Sequence, residues 1–206
     1  VTGPFGLPEA DGAGPESYLR RQLFDRRIVS LVGTLDDQVG NDVGVTLMTL
    51  DATGDEVVHL RIDSGGGTVG AALALMDIIG LLGVPVDALC TGQASGAAVG
   101  VLAACRRRRM APHARIHLVE PSTDLIGSAR QLEQLAAAHL DQWHRFCARL
   151  AELTGEPVGQ VTEDAARGRH LSAEEAVAYG IADEVATPDA GMIRLPGRPP
   201  GFRSGG

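Results

Sequence analysis

The sequence predicts an α/β fold, and three observations carry the prediction. Apolar segments of strand length recur along the chain: RIVSLVG at 27–33, VVHLRID at 57–63, VPVDAL at 84–89 and ARIHLV at 114–119. Longer segments with helical spacing lie between them. Two of the strand-like segments run into glycine corners, SGGGT at 64–68 and GQASG at 92–96, and each corner leads into a run of small apolar residues. Strands that alternate with helices pair mainly in parallel, because each crossover helix returns the chain to the same end of the sheet.

Taken in order, residues 1–16 (VTGPFGLPEADGAGPE) are rich in Gly and Pro and are expected to form a flexible segment, as are residues 188–206. The first strand, 27–33, ends at Gly33. Asn41 and Asp42 then open a helical stretch with Val43, Val45, Leu47 and Leu50 as its apolar positions. The alternating strand 57–63 feeds the glycine corner and a helix over 69–82. Strand 84–89 leads to the second corner and a small-residue helix reaching Ala104. After strand 114–119, Ser128-x-x-Gln131 is a capping box, and Leu132, Leu135, Trp143, Phe146, Leu150 and Leu153 fall near one helical stripe. Gly155 and Pro157 stop that helix; Ser172-x-x-Glu175 starts a shorter one, closed at Gly180.

Composition narrows the function classes. Aromatic residues make up 3% of the chain, so the core must be built from Ala, Val, Leu and Ile. The formal charge of −8 argues against nucleic acid or an anionic membrane as the main partner. No lysine is present, which removes Ser–Lys and Schiff-base chemistry. Cys90, Cys105 and Cys147 are far apart and odd in number, as expected for reduced core residues of a cytoplasmic protein. His113, His139, His144 and His170 show no ligand spacing, and neither a metal nor a cofactor is expected. The run Ala71–Leu82 is too short and too interrupted to span a bilayer.

Three glycines after a strand admit three uses. Bare N–H groups can stabilise an oxyanion in acyl transfer, or bind phosphate at a helix start, or the turn can simply let a helix pack closely on a strand. The Walker pattern needs a lysine, and G-x-G-x-x-G fits SGGGTVGAA poorly.

The segments IDSGGGTVGAALALMD, ALCTGQASGAAVGVLAA, PHARIHLVEP, LAELTGEP and RHLSAEEAVAYGIADEV, in this order, resemble the ClpP family of self-compartmentalising serine peptidases. The resemblance covers roughly residues 18–187, and its most specific part is LSAEEAVAYGIADEV. It implies a crotonase-like fold of repeated ββα units over residues 17–187, with a protruding strand-and-helix handle at about 120–154. It implies heptameric rings that stack as tetradecamers through their handles, and an AAA+ unfoldase that spends ATP to feed unfolded polypeptide inside. It also implies oxyanion-hole donors at the N–H groups of Gly67 and Ala97.

The family's catalytic residues do not carry over. Counting from Gly92 puts the nucleophile position at Gly96; counting back from Pro121 puts the base at Val119; counting back from Leu171 puts the acid at Gly168. None of these side chains can attack a carbonyl or move a proton. Displaced candidates exist in Ser95, His117 and Asp164. His117 lies two residues from Val119 on one strand face, a displacement of about 6–7 Å against a hydrogen-bond reach of about 3 Å. Ser95 otherwise reads as a small corner residue, His117 as a half-buried strand histidine and Asp164 as a surface or capping carboxylate.

Two departures concern partners. His59 and Arg61 occupy strand positions where the family has aromatic residues that receive unfoldase loops, and a cationic side chain there disfavours an apolar loop. Arg106–Arg109 reads as a solvated turn, or as a contact to an acidic neighbour in a ring. The expected function is a catalytically silent ClpP-like subunit, assembling with itself or with active paralogues. The alternatives are a serine peptidase using Ser95–His117–Asp164 and, with Glu120 as the nearby carboxylate, a crotonase-like acyl-thioester enzyme.

Overall fold

The structure, a computed structural model, describes residues 15–121 and 126–187. One seven-stranded sheet runs β1 (Ile28–Leu35), β2 (Val58–Gly67), β3 (Val86–Ser95), β4 (Arg107–Met110) and β7 (Glu184–Val185) in parallel. β5 (Arg115–Leu118) pairs with the far end of β3, and β6 (Arg169–Leu171) pairs with β5 antiparallel. β3 thus has two neighbours on one edge: Asp87–Cys90 pairs with β4, and Gln93–Ser95 pairs with β5. That split brings the second glycine corner beside β5.

The helices are α1 (Pro15–Phe24), α2 (Asp37–Thr53), α3 (Val69–Leu81), α4 (Ala97–Ala103), α5 (Ala129–Thr154), α6 (Val158–Arg167) and α7 (Ala173–Ala178). All seven residues of α4 are buried, making it the centre of the core between β2, β3, α3 and α5. Gly100 permits this: a Cβ there would lie 2.4 Å from Phe146 Cε2 and 2.7 Å from Met76 Sδ. Only the C-terminal half of α5 is packed, through Trp143, Phe146, Cys147, Leu150 and Ala151, while Leu135 and Leu140 of its first half are exposed. The three cysteines are free and buried, and burial pushes the thiols of Cys90 and Cys105 up to about 12 and that of Cys147 to about 11.

Several boundaries differ from expectation. β1 does not end at Gly33; it continues to Leu35 through a bulge at Gly33, whose φ of +85° suits glycine. α2 begins at Asp37, before Asn41, because the Asp36 side chain accepts from the Val39 N–H at 2.8 Å. Its buried stripe is Gly40, Val43, Gly44, Leu47 and Leu50, whereas Val45 is exposed. The glycines belong to that stripe because α3 comes so close: a Cβ at Gly44 would lie 2.8 Å from Ile78 Cδ1. β2 and β3 each run on through their glycine corners.

Arg107–Arg109 of the arginine run form strand β4 with Met110, not a solvated turn, and Arg106 precedes it. Intrachain carboxylates hold it: Arg106 donates to Asp87 Oδ1 at 3.0 and 3.1 Å, Arg107 to Glu184 at 2.6 Å, and Arg108 to Asp183. Arg108 Nη1 also donates to the carbonyls of Gly180 and Leu153, tying β4 to the ends of α5 and α7. Arg109 is buried.

Of the expected flexible N-terminal segment, Pro15 and Glu16 instead belong to α1; residues 1–14 and the C-terminal 188–206 lie outside the described residues. The handle region has the long helix from Ala129, no strand at Glu120, Pro121 or 126–128, and residues 122–125 outside the described part. α6, β6 and β7 are elements that sequence patterning did not reveal.

Candidate active site

Ser64 shapes the first glycine corner. It is fully buried, its Oγ donates to Gly33 O at 2.6 Å, and it accepts from the Gly66 N–H at 3.2 Å. Gly66 has φ +103° and packs against the end of β3, where a Cβ would lie 3.0 Å from Ser95 O. Gly67 sits against β1 so closely that a Cβ would lie 1.9 Å from Leu35 O. Close backbone approach therefore requires glycine at Gly67 whatever its N–H does. Ala97 opens α4, so its N–H has no acceptor one turn back within the helix.

The second corner turns at Gly96, with φ +47° and ψ −120°. Its N–H donates to His117 O at 2.9 Å, fixing the corner to β5. The direction in which a side chain would leave Gly96 points at Val119: a Cβ would lie 3.3 Å from Val119 O and 3.6 Å from Val119 Cγ1. The structure thus brings Gly96 and Val119 into contact. Gly168 is the left-handed residue ending α6, with φ +67°, and a Cβ there would lie 3.5 Å from His117 Nε2. All three positions gather where β3, β5 and the start of β6 meet.

The displaced candidates are arranged differently. Ser95 and His117 are register partners across β3 and β5, and Ser95 is buried. His117 stacks on His170, its partner across β6, with ring centroids 3.9 Å apart. Asp164 is buried, not a surface carboxylate, and its Oδ2 accepts from Gln160 Nε2 at 2.9 Å, Arg169 Nη1 at 3.0 Å and Tyr179 Oη at 3.0 Å. Among the described residues no hydrogen bond joins Ser95 Oγ to His117 or either of them to Asp164. Burial opposes ionisation of Asp164, but the bonds from Gln160, Tyr179 and Arg169 and the Arg169 charge outweigh it, holding the carboxyl below its ordinary pKa. Burial lowers the pKa of His117, and the neighbouring His170 lowers it further.

Other sequence candidates fall elsewhere. Glu120 is exposed, and no hydrogen bond holds its carboxylate among the described residues. Arg61 is exposed, with Nε donating to Thr91 Oγ1 at 3.2 Å. His59 is half-buried beside Asp87; burial lowers its pKa, Asp87 raises it and Arg109 lowers it, for a net lowering. His59 is therefore neutral at pH of about 7, and Arg61 alone is the cation of that pair. A groove of about 580 Å³ lies among α1, β1 and α2, and none of the glycine-corner residues lines it. No group of three or more His, Cys, Asp and Glu side chains among the described residues could hold a metal ion. No helix among them is long and apolar enough to cross a membrane.

Sequence reasoning missed Ser64 as the residue that shapes the turn, and missed the Asp164–Arg169–Tyr179 network and the His117–His170 stack. The Ser-Gly-Gly-Gly string carried a signal for the first. The stack depends on the antiparallel β5–β6 pairing and the Asp164 network on how α6 seats against β6 and the end of α7, neither of which patterning can read.

The fold and the two glycine corners agree with a comparison to known families. The sequence model of the family described as Clp protease matches residues 14–189 of the 206 in the chain. This chain belongs to the Clp protease family, as a ClpP-like homologue of its proteolytic subunit.

Proposed function

We propose that this chain is a catalytically silent ring subunit of a Clp-type degradation machine. One observation carries the reading: the Gly96 Cα is aimed at Val119, at the positions where the resemblance expects a nucleophile and its base. A hydrogen atom facing an isopropyl group can neither attack a carbonyl nor take a proton. Backbone donors at Gly67 and Ala97, without those two groups, leave only residual catalysis. Such a subunit assembles with itself or with active ClpP-type paralogues as a heptamer or tetradecamer in the cytoplasm. It tunes the chamber's composition and which ring face accepts an AAA+ unfoldase, and it contacts unfolded polypeptide without cutting it. Arg61 and neutral His59 favour a face that receives apolar unfoldase loops poorly.

Fluorophosphonate labelling and peptide hydrolysis by the pure protein test the silent site; the expected result is background in both. Native mass spectrometry, alone and with an active paralogue, tests assembly, and a strictly monomeric chain in both settings would refute the ring role.

A second reading has one observation in its favour, the register pairing of Ser95 with His117. In it the chain is a peptidase using Ser95, His117 and Asp164. The engagement of Asp164 with three donors and of His117 with His170 weighs against it. Labelling at Ser95, lost in Ser95→Ala, would establish it and overturn the first reading.

A further inference from the structure

Two histidines meet beside the three family positions. β5 and β6 form the one antiparallel pair among the described residues, and His117 and His170 are direct partners in it. Directly opposed residues on antiparallel strands share a face. Here the imidazoles are stacked, with centroids 3.9 Å apart and planes 8° from parallel. His117 is half-buried and His170 exposed. Val119 lies two residues after His117, and Gly168 lies two before His170. The stack therefore holds the strand leading to Val119 against the strand leaving Gly168.

We propose that the His117–His170 stack is a proton-sensitive clamp: it holds β5 against β6 while at most one ring is charged, and releases them when both are. Two imidazolium rings face to face repel, whereas neutral or singly charged rings attract. β6 has three residues, all in that one ladder: Leu171 is buried in the core, Arg169 is bonded to Asp164, and His170 contributes the ring contact to β5.

The surrounding groups do not neutralise a second charge. From β3 the register partner of His117 is Ser95, which carries no charge. From α6, the Asp164 carboxylate is taken up by Gln160, Arg169 and Tyr179. From β6, Arg169 turns to Asp164 and lies over the Tyr179 ring. From α7, Glu174 and Glu175 accept hydrogen bonds from Ser172 and keep their charge, but among the described residues neither forms an ion pair with His117 or His170. Along β5 itself, Arg115 adds a further positive charge.

The lowered pKa of His117, from burial first and His170 second, agrees in direction. An unfolded histidine takes its proton at pH of about 6.5 and the folded His117 only below that. The stack's contribution is thus complete above pH of about 6.5 and declines as pH falls from there through the folded pKa.

Hydrogen exchange of the full chain tests the clamp, followed by mass spectrometry over peptides covering residues 114–121 and 168–172. Between pH of about 8 and about 5, corrected for intrinsic rates, protection there should fall about tenfold while α3 and α4 keep theirs. His170→Phe keeps a stacking ring without a second charge and should abolish most of the fall. NMR titration should show the His117 imidazole taking its proton at a lower pH in the unsubstituted protein than in His170→Phe, because the neighbouring His170 lowers its pKa. Constant protection across the window, a His117 titration unmoved by His170→Phe, or a His170→Phe protein that opens with acid as the parent does would each overturn the clamp.

Discussion

Restoring the three family residues tests the silent-site reading most directly. Gly96→Ser, Val119→His and Gly168→Asp would be made singly and together. Gly96 and Gly168 both have positive φ, at +47° and +67°, where a Cβ costs about 1–2 kcal/mol each. At Gly96 the new Cβ would also press on Val119 O at 3.3 Å, while at Gly168 its only close neighbour, His117 Nε2 at 3.5 Å, is at ordinary contact distance. The strain sums to about 2–4 kcal/mol, and at about 2–4 °C per kcal/mol for a chain of this size the triple variant should melt roughly 10 °C below the parent. Loss of a nucleophile or its base alone costs about a millionfold in such triads, so Gly96→Ser alone should label no faster than the parent. The triple variant should gain at least about a thousandfold in fluorophosphonate labelling, mapped by peptide mass spectrometry to position 96. A folded triple variant that labels no faster than the parent, or Gly96→Ser alone matching it, would refute the assignment of these positions.

Further outcomes follow from packing and charge. Gly100→Ala forces a methyl to 2.4 Å from Phe146 Cε2 and should lower stability by about 1–3 kcal/mol, read by urea denaturation. Arg108→Ala removes the guanidinium bonds to Asp183, Gly180 and Leu153, leaving the backbone N–H bond to Asp183, and should cost about 2 kcal/mol, with exchange protection lost first in β4 and β7. Asp164 has a depressed folded pKa, so its contribution is present above pH of about 4 and declines as acid takes the pH through the folded value. Asp164→Asn should therefore be less stable than the parent at neutral pH, with the difference shrinking on acidification in a series of denaturation curves. Buried thiols with raised pKa values should make Cys90, Cys105 and Cys147 inert to iodoacetamide in the native protein and reactive in urea.

The sequence by itself determined strands β1, β2, β3 and β5, the two glycine corners with the helices that follow them, and both capping boxes. These are local: periodicity, cap chemistry and spacing are written in adjacent residues. Tertiary structure alone decided that Gly40 and Gly44 are core positions of α2, because their place on the buried face depends on how near α3 comes. It alone made the arginine run a strand, since Asp87, Asp183 and Glu184, which hold it, lie up to 77 residues away. It also decided that Asp164 is buried under Arg169 and Tyr179 while His117 faces His170, pairings set by the β5–β6 register and the seat of α6. A strand's partners are chosen by the whole sheet, and no pattern within the strand specifies them.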